Sequence, residues 1–519
     1  MPRRLALLAL VAFPALASAQ TDPFVPHQRW RTVATAQVAW LPSAVEFACG
    51  GELAWFGASG AAARGELLST APLLGAAAPA AVLSLSRAGS SGGVPVAVGD
   101  DERELFLATQ WPGSSASQRR TRVERVDARA GGALWSRELA IEGDGAARLF
   151  SARDGARALA LVHDTQSSQL ELEWFDGANG APLATCTRVS PVLRAASASA
   201  DVGRVAVVVG SELRVYDAAG QLELLEPLGT STTALALSGD GNFLACGAGT
   251  RVRTFERVGA SWVPGLELTA GASLVAVRAA LSDDGATLAL GWWNLGTTRD
   301  VRVEAWDLSA GALRYSRSLG SAAPAPQNYV ECVGVSRDGR RVAFGCWGNA
   351  DAGPEVLWID VASGVELAAI DLPGSVRTLA LDATGTRLAV GSKLGHASTF
   401  ATQGELRLVD SGERGLQVLS EPRAGASLSL ACRAPQASRV LFLVGPRLAQ
   451  PIPFASGSLW VDRKLAQHAL APVGSGGSAA ATLNLPAAFA GFELALQALE
   501  RRPGAGAVVR DELLAPVVF

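Results

Sequence analysis

The chain has 519 residues, 49% of them hydrophobic and 18% charged, and a formal net charge of −3. This composition suits a folded, core-rich protein and excludes a disordered one. The charge excludes the general electrostatic footprint of a nucleic-acid binder.

Residues 1–19 read as a secretory signal. Arg3 and Arg4 form its charged start, Leu5 to Leu16 its apolar stretch, and Ala17, Ser18 and Ala19 its small-residue cleavage site. The stretch is too short to span a bilayer. Another uncharged run, Leu67 to Ser86, contains Pro72, Gly75 and Pro79 and so reads as a loop leading into a strand. The expectation is a secreted protein (periplasm, cell surface or extracellular) with no membrane span after signal removal.

From there to about residue 415 a phrase recurs: apolar strand, Ser/Asp-Gly turn, second apolar strand ending in Gly, third strand closing on Asp. Ser238-Gly239-Asp240-Gly241 precedes FLACG, Ser282-Asp283-Asp284-Gly285 precedes TLALG, and Ser336-Arg337-Asp338-Gly339 precedes RVAFG. Asp382-Ala383-Thr384-Gly385 precedes RLAVG. A unit of this length cannot bury both faces alone and must stack on its neighbours. The phrase predicts innermost strands near Val45–Ala48, Val94–Val98, Arg148–Ser151, Leu193–Ser199, Thr233–Ser238, Arg278–Ser282, Val330–Ser336 and Val376–Asp382. The step of about 45–50 residues is that of four-stranded blades.

Eight blades are therefore expected, or seven if the unit near Val45 is not a full blade. Third strands close on Asp127, Asp176, Asp217, Asp307, Asp360 and Asp410, each followed by Gly. Asp accepts hydrogen bonds from turn amides and Gly supplies positive φ, so these aspartates are structural. The last unit lacks its own fourth strand, and Trp30–Val38 is the segment expected to supply it and close the ring.

These phrases resemble the WD-repeat and quinoprotein-like propeller superfamilies. Trp306-Asp307 is a literal Trp-Asp ending, and Asp127 to Trp135 is similar to the D-x-x-x-G-x-x-x-W signature of quinone-binding propellers. The resemblance implies a propeller fold over roughly Trp30 to Gly415 and little about activity. The adjacent cysteines of quinone-dependent dehydrogenases are missing. No cofactor is therefore expected.

Residues 416–519 change character. GASLSLACRAP (Gly425–Pro435), VLFLVG (Val440–Gly445), SLWVD (Ser458–Asp462) and SAAATLNLP (Ser478–Pro486) are spaced as short strands of a small C-terminal β-sandwich. With FELALQAL (Phe492–Leu499), this stretch resembles a C-terminal module of secreted planctomycete-type bacterial proteins. The expected organisation is a signal peptide at 1–19, a β-propeller domain at 20–415 and a β-sandwich domain at 416–519.

Searching for chemistry returns little. The histidines His27, His163, His396 and His468 are dispersed, and no nucleophile elbow or phosphate loop occurs, so no catalytic or metal residue is predicted. Cys332 and Cys346 flank a turn almost symmetrically, which suits either a cross-strand disulfide or two buried thiols. Nearly all basic residues are arginine, with Lys393 and Lys464 the lysines, a bias that reads as coding composition.

The informative pattern is where insertions fall. Loops between second and third strands are long at Trp111–Arg120, Trp292–Asp300, Trp347–Pro354 and Lys393–Gln403. In a propeller these share one face near the central channel. That face would carry Trp292, Trp293, Asn294, Trp347, Asn349, Asp351, Lys393 and His396, a composition found in binding hot spots. The expected function is a secreted, monomeric, non-catalytic scaffold that presents this face to an envelope or extracellular protein or a glycan. The alternative is a hydrolase, lyase or quinoprotein-like oxidoreductase acting at the channel.

Overall fold

The computed structural model describes residues 27–33, 41–47, 53–59, 62–68, 76–77, 81–88, 96–98, 104–114, 118–127, 132–143, 147–189, 192–271, 273–296, 299–320, 327–348, 353–396, 403–412, 416–420, 423–434, 437–454, 457–461, 465–475, 477–490, 493–501 and 507–516. The expected signal peptide at 1–19, Asn349 and Asp351 lie outside the described residues.

Eight sheets form the blades; in seven the strands run in chain order from an inner strand a to an outer strand d, and the eighth takes its outer strand from the N-terminal side. The inner strands are Leu41–Phe47, Val96–Val98, Arg148–Ser151, Leu193–Ala198, Leu235–Leu237, Leu274–Leu281, Val330–Val335 and Val376–Leu381, numbered here as blades 1 to 8. They fall where the repeat phrase places them. Inner strands of successive blades pack together, and blade 8 returns to blade 1. The chain is a β-propeller.

Blade 8 closes the ring. Its a, b and c strands are Val376–Leu381, Arg387–Lys393 and Gly404–Asp410, and its d strand is His27–Val33 from the far N-terminal side. Thr32 stands opposite Leu406 and Val33 opposite Glu405 in antiparallel register. Val45 and Leu68 of blade 1 share a core with Ala380, Ala389, Leu406 and Leu408 of blade 8. Closure covers a sheet edge that would otherwise template pairing with another chain.

Burial follows strand position. Strand b of blade 4, Arg204–Val209, is buried from Val205 onward on both faces, because neighbouring blades cover it. Strand d of the same blade, Leu222–Pro227, alternates exposed and half-buried positions at the rim.

The a–b turns are held by their own polar side chains. Ser238 Oγ donates to Asp240 Oδ1 at 2.5 Å and accepts from the Phe243 amide at 2.9 Å; Ser282 and Ser336 repeat this with Asp284 and Asp338. The third-strand aspartates act as anticipated: Asp176 Oδ1 accepts from the amides of Ala178 and Asn179, and Asp217 Oδ1 from those of Ala219 and Gln221.

These turns also bond to one another around one mouth of the channel. The Arg153 amide donates to Ala200 O, the Ala200 amide to Gly239 O, and the Asp240 amide to Asp283 O. The Asp283 amide donates to Arg337 O, and the Arg337 amide to Ala383 O. This collar runs from blade 3 to blade 8. Inside it, the Arg153 guanidinium pairs in bidentate fashion with the Asp283 carboxylate of blade 6.

Residues from Leu416 onward form two further sheets. One contains Leu416–Val418, Ser427–Arg433 and Ser478–Asn484; the other is centred on Arg439–Phe454, flanked by Gly457–Val461, Gln467–Pro472 and Glu493–Arg501, with Ala507–Pro516 beyond. Leu428, Leu430 and Leu483 of the first share an apolar core with Phe442, Val444, Leu494 and Leu496 of the second.

The cross-strand disulfide expectation is corrected. Cys332 stands opposite Gly345 and Cys346 opposite Val330, one step out of register. Side chains one step apart project from opposite sheet faces. Cys346 accordingly joins the core shared with blade 6 and Cys332 the core shared with blade 8, and both thiols are free. Burial pushes the Cys346 thiol up to about 12.

Candidate functional site

An inner strand enters at the mouth carrying the b–c and d–a loops and ends at the collared a–b turns. In blades 1, 4, 6, 7 and 8 the a–b register slips by one residue near this entrance, leaving Ser43, Arg194, Val277, Glu331 and Arg377 without an opposite partner. A bulge of this kind re-aims a side chain and bends the strand. Arg194 and Arg377 are exposed there, and Glu331 is half-buried.

Arg148 of blade 3 and Arg278 of blade 6 lie at the same depth. Arg148 is exposed to solvent, and partial desolvation by its surroundings, followed by the charge of Arg278 three blades away, lowers its pKa. Arg278 is anchored: its Nε donates to Glu331 O at 2.6 Å and its Nη1 to Tyr329 Oη at 3.2 Å. It also lies against the Tyr329 ring, 5.3 Å from the centroid.

An aromatic cluster stands beside these charges. Trp293 meets Tyr329 edge-on at 5.5 Å and 79°, and Tyr329 meets Trp347 at 5.2 Å and 47°. Trp347 Nε1 donates to Glu331 Oε2 at 2.8 Å, which fixes both groups. The Trp293 indole N–H has no acceptor among the described residues. A cavity of about 290 Å³ opens alongside, lined by Arg194, Thr232, Thr233, Trp293, Leu295 and Tyr329.

The sequence candidates divide. Blades 6, 7 and 8, which carry Trp292, Trp347 and Lys393, are consecutive in the ring, as the insertion pattern implied. Trp293 and Trp347 belong to the aromatic cluster at the mouth. Lys393 is half-buried beside it; desolvation lowers its pKa, Arg377 adds to this, and Glu331 opposes it.

Trp292 is corrected to a packing residue. It is fully buried in the core between blades 5 and 6, and its Nε1 donates to the buried Glu304 carboxylate at 3.0 Å. Alternation on strand b sends Trp292 and Trp293 to opposite faces, so only one of two adjacent tryptophans reaches the mouth. Asn294 secures the loop instead: its Nδ2 donates to Asp300 Oδ1 and its Oδ1 accepts from the Gly296 amide.

His396 faces inward. Its Nδ1 lies 3.6 Å from Oε1 of the fully buried Glu355, and neither atom has a hydrogen-bond partner among the described residues. Glu355 Oε2 accepts from the Leu372 amide at 2.6 Å. Burial raises this carboxyl to about 7 despite that bond.

The sequence reading missed Tyr329, Arg194, Arg278, Glu331, Arg377 and Arg148. Their signal is positional: Arg148 and Arg278 stand four residues before the turn residues Ala152 and Ser282, while Arg194, Glu331 and Arg377 stand five before Ser199, Ser336 and Asp382. Compositional bias explains why the chain is arginine-rich, but not why arginines recur at this depth of the inner strands.

No family model matches the chain, and no curated protein does. Among solved structures it is similar to the β-propeller domain of Myceliophteria thermophila Cps50 (Swd1), at 13% identity and a TM-score of 0.42, over 73% of this chain and 99% of that one.

Proposed function

We propose that this chain is an exported binding scaffold that presents the b–c mouth of its propeller to a protein of the envelope. The observation that carries the reading is the Trp293–Tyr329–Trp347 cluster, which joins blades 6 and 7 beside an open cavity. Aromatic anchors next to a concave pocket on a rigid frame are the composition of protein-binding hot spots. Export rests on the charged, apolar and small-residue pattern of residues 1–19.

The test is site-specific photo-crosslinking in envelope extract from two exposed positions on the full chain. Leu295 lines the cavity, whereas Leu222 lies on the rim strand of blade 4. A protein adduct from Leu295 and not from Leu222 supports the reading. Adducts from Leu222 alone would move the binding face to the rim. A glycan adduct from Leu295 would keep the face and change the partner. Amino-terminal sequencing of the mature chain tests export, with Gln20 expected as the first residue.

A further inference from the structure

We propose that the b–c mouth takes an acidic polypeptide segment, its carboxylates paired with Arg194, Arg377 and Lys393 and one apolar side chain seated beside Trp293 and Tyr329. This rests on the binding-face reading above and adds the chemistry of the partner.

The charge pattern is the first argument. Away from the mouth arginines are matched with acids: Arg204 and Arg257 with Glu223, Arg253 with Glu226, and Arg317 with Glu366. At the mouth, Arg148, Arg194 and Arg377 have no ion pair among the described residues. Glu331 is the acid among them, and it is already engaged by Trp347 and lies 3.7 Å from Arg278. Arg194 and Arg377 thus present exposed positive charge at this mouth, whose other acids, Asp300 and Asp371, lie with Asn294 and Glu355. Low-dielectric walls around such a cleft focus its field on an incoming anion.

The second argument is the cavity. Its volume of about 290 Å³ accommodates a single side chain. Its wall combines an apolar side, Trp293 and Leu295, with the Arg194 guanidinium and the hydroxyls of Thr232 and Thr233.

The ring geometry favours a peptide over a sugar. Glycan recognition uses an open aromatic face as a stacking platform. Here the rings turn toward one another, at 79° and 47°. A side chain fits that corner better than a flat pyranose does. The far mouth is bound by the turn collar and the Arg153–Asp283 pair, so the segment enters from one side.

The probe is a fluorescein-labelled glutamate-rich peptide with one central leucine, followed by anisotropy against the full chain. A glutamine-for-glutamate peptide is the control. The expected result is binding of the glutamate peptide, at least about tenfold weaker for the glutamine peptide and for an Arg194→Ala/Arg377→Ala variant of unchanged melting temperature. Raising salt from about 50 to about 300 mM should weaken it in the same way, because exposed charges are screened. Equal binding of the two peptides, or none, overturns the acidic-ligand proposal. If Leu295 still crosslinks a protein in that case, the binding face itself stands; if it does not, both fall. An acidic oligouronate that binds more tightly than the peptide and displaces it overturns the polypeptide assignment.

Discussion

Arg148 of blade 3 and Arg278 of blade 6 each stand four residues before their a–b turns, and desolvation, followed by the charge of Arg278, lowers the pKa of the solvent-exposed Arg148. In the a–b turn that follows the Arg148 strand, Arg153 pairs with Asp283 of blade 6. The two mouths thus have opposite electrostatics. One joins unlike charges across the channel and the other holds like charges apart, an arrangement that favours an anionic guest at the second.

A guanidinium held below its ordinary pKa is less favourable as a cation in the folded protein than in water. Because Arg148 is solvent-exposed, Arg148→Gln is expected to change the melting temperature little while weakening the glutamate-rich peptide. Thermal denaturation and anisotropy on one preparation check both. A large loss of melting temperature would assign Arg148 a structural role instead.

Trp292 and Trp347 should respond differently to truncation. Trp292→Ala opens a cavity in the blade 5–6 core and strips Glu304 of a donor, at an expected cost of about 3–5 kcal/mol. Trp347→Ala acts at a half-buried site and should cost less than about 2 kcal/mol while reducing partner capture. Urea denaturation separates the two, since each ΔΔG is read from the shift in midpoint.

The two tryptophans also show what was legible beforehand. The repeat phrase located every inner strand, because the Ser-x-Asp-Gly turn and the strand-ending Asp are local devices encoded in adjacent residues. Ring closure was legible because the last unit had an unpaired strand and the first had a spare one. The mouth was legible as a face and not as a residue list. Which of Trp292 and Trp293 points inward depends on register, and the reach of Arg194 toward Trp293 depends on a bulge and on ring curvature. Neither is written in local spacing.

The buried Glu355 gives the protein a pH signature. Its carboxyl is raised from an ordinary 4.5 to about 7 by burial, with the Asp371 carboxyl nearby adding to the rise and the Leu372 amide opposing it. The raised value favours the protonated form in the fold, so its contribution is complete below about 4.5 and lost as pH rises through about 7. Stability should fall across that window by the slope of one proton, and Glu355→Gln should flatten the profile. A Gln variant with the same slope would assign the effect to another group.

Closure by His27–Val33 predicts sensitivity to a single backbone change. Thr32→Pro fixes φ and removes a backbone donor within the closing strand, opposite Leu406, and is expected to lower stability. Freed from its d strand, blade 8 exposes an edge, so light scattering should show self-association at concentrations where the parent chain shows none. A Thr32→Pro chain of parental stability would place closure elsewhere.

The most direct measurement is hydrogen–deuterium exchange of the full chain with and without saturating glutamate-rich peptide. The account predicts slowed exchange at residues 230–233, 293–296, 328–331 and 374–377, all at the b–c mouth, and no change at the turns 238–241 and 282–285. Protection of those turns, or of the rim strand Leu222–Pro227, would contradict the claim that this mouth is the binding face.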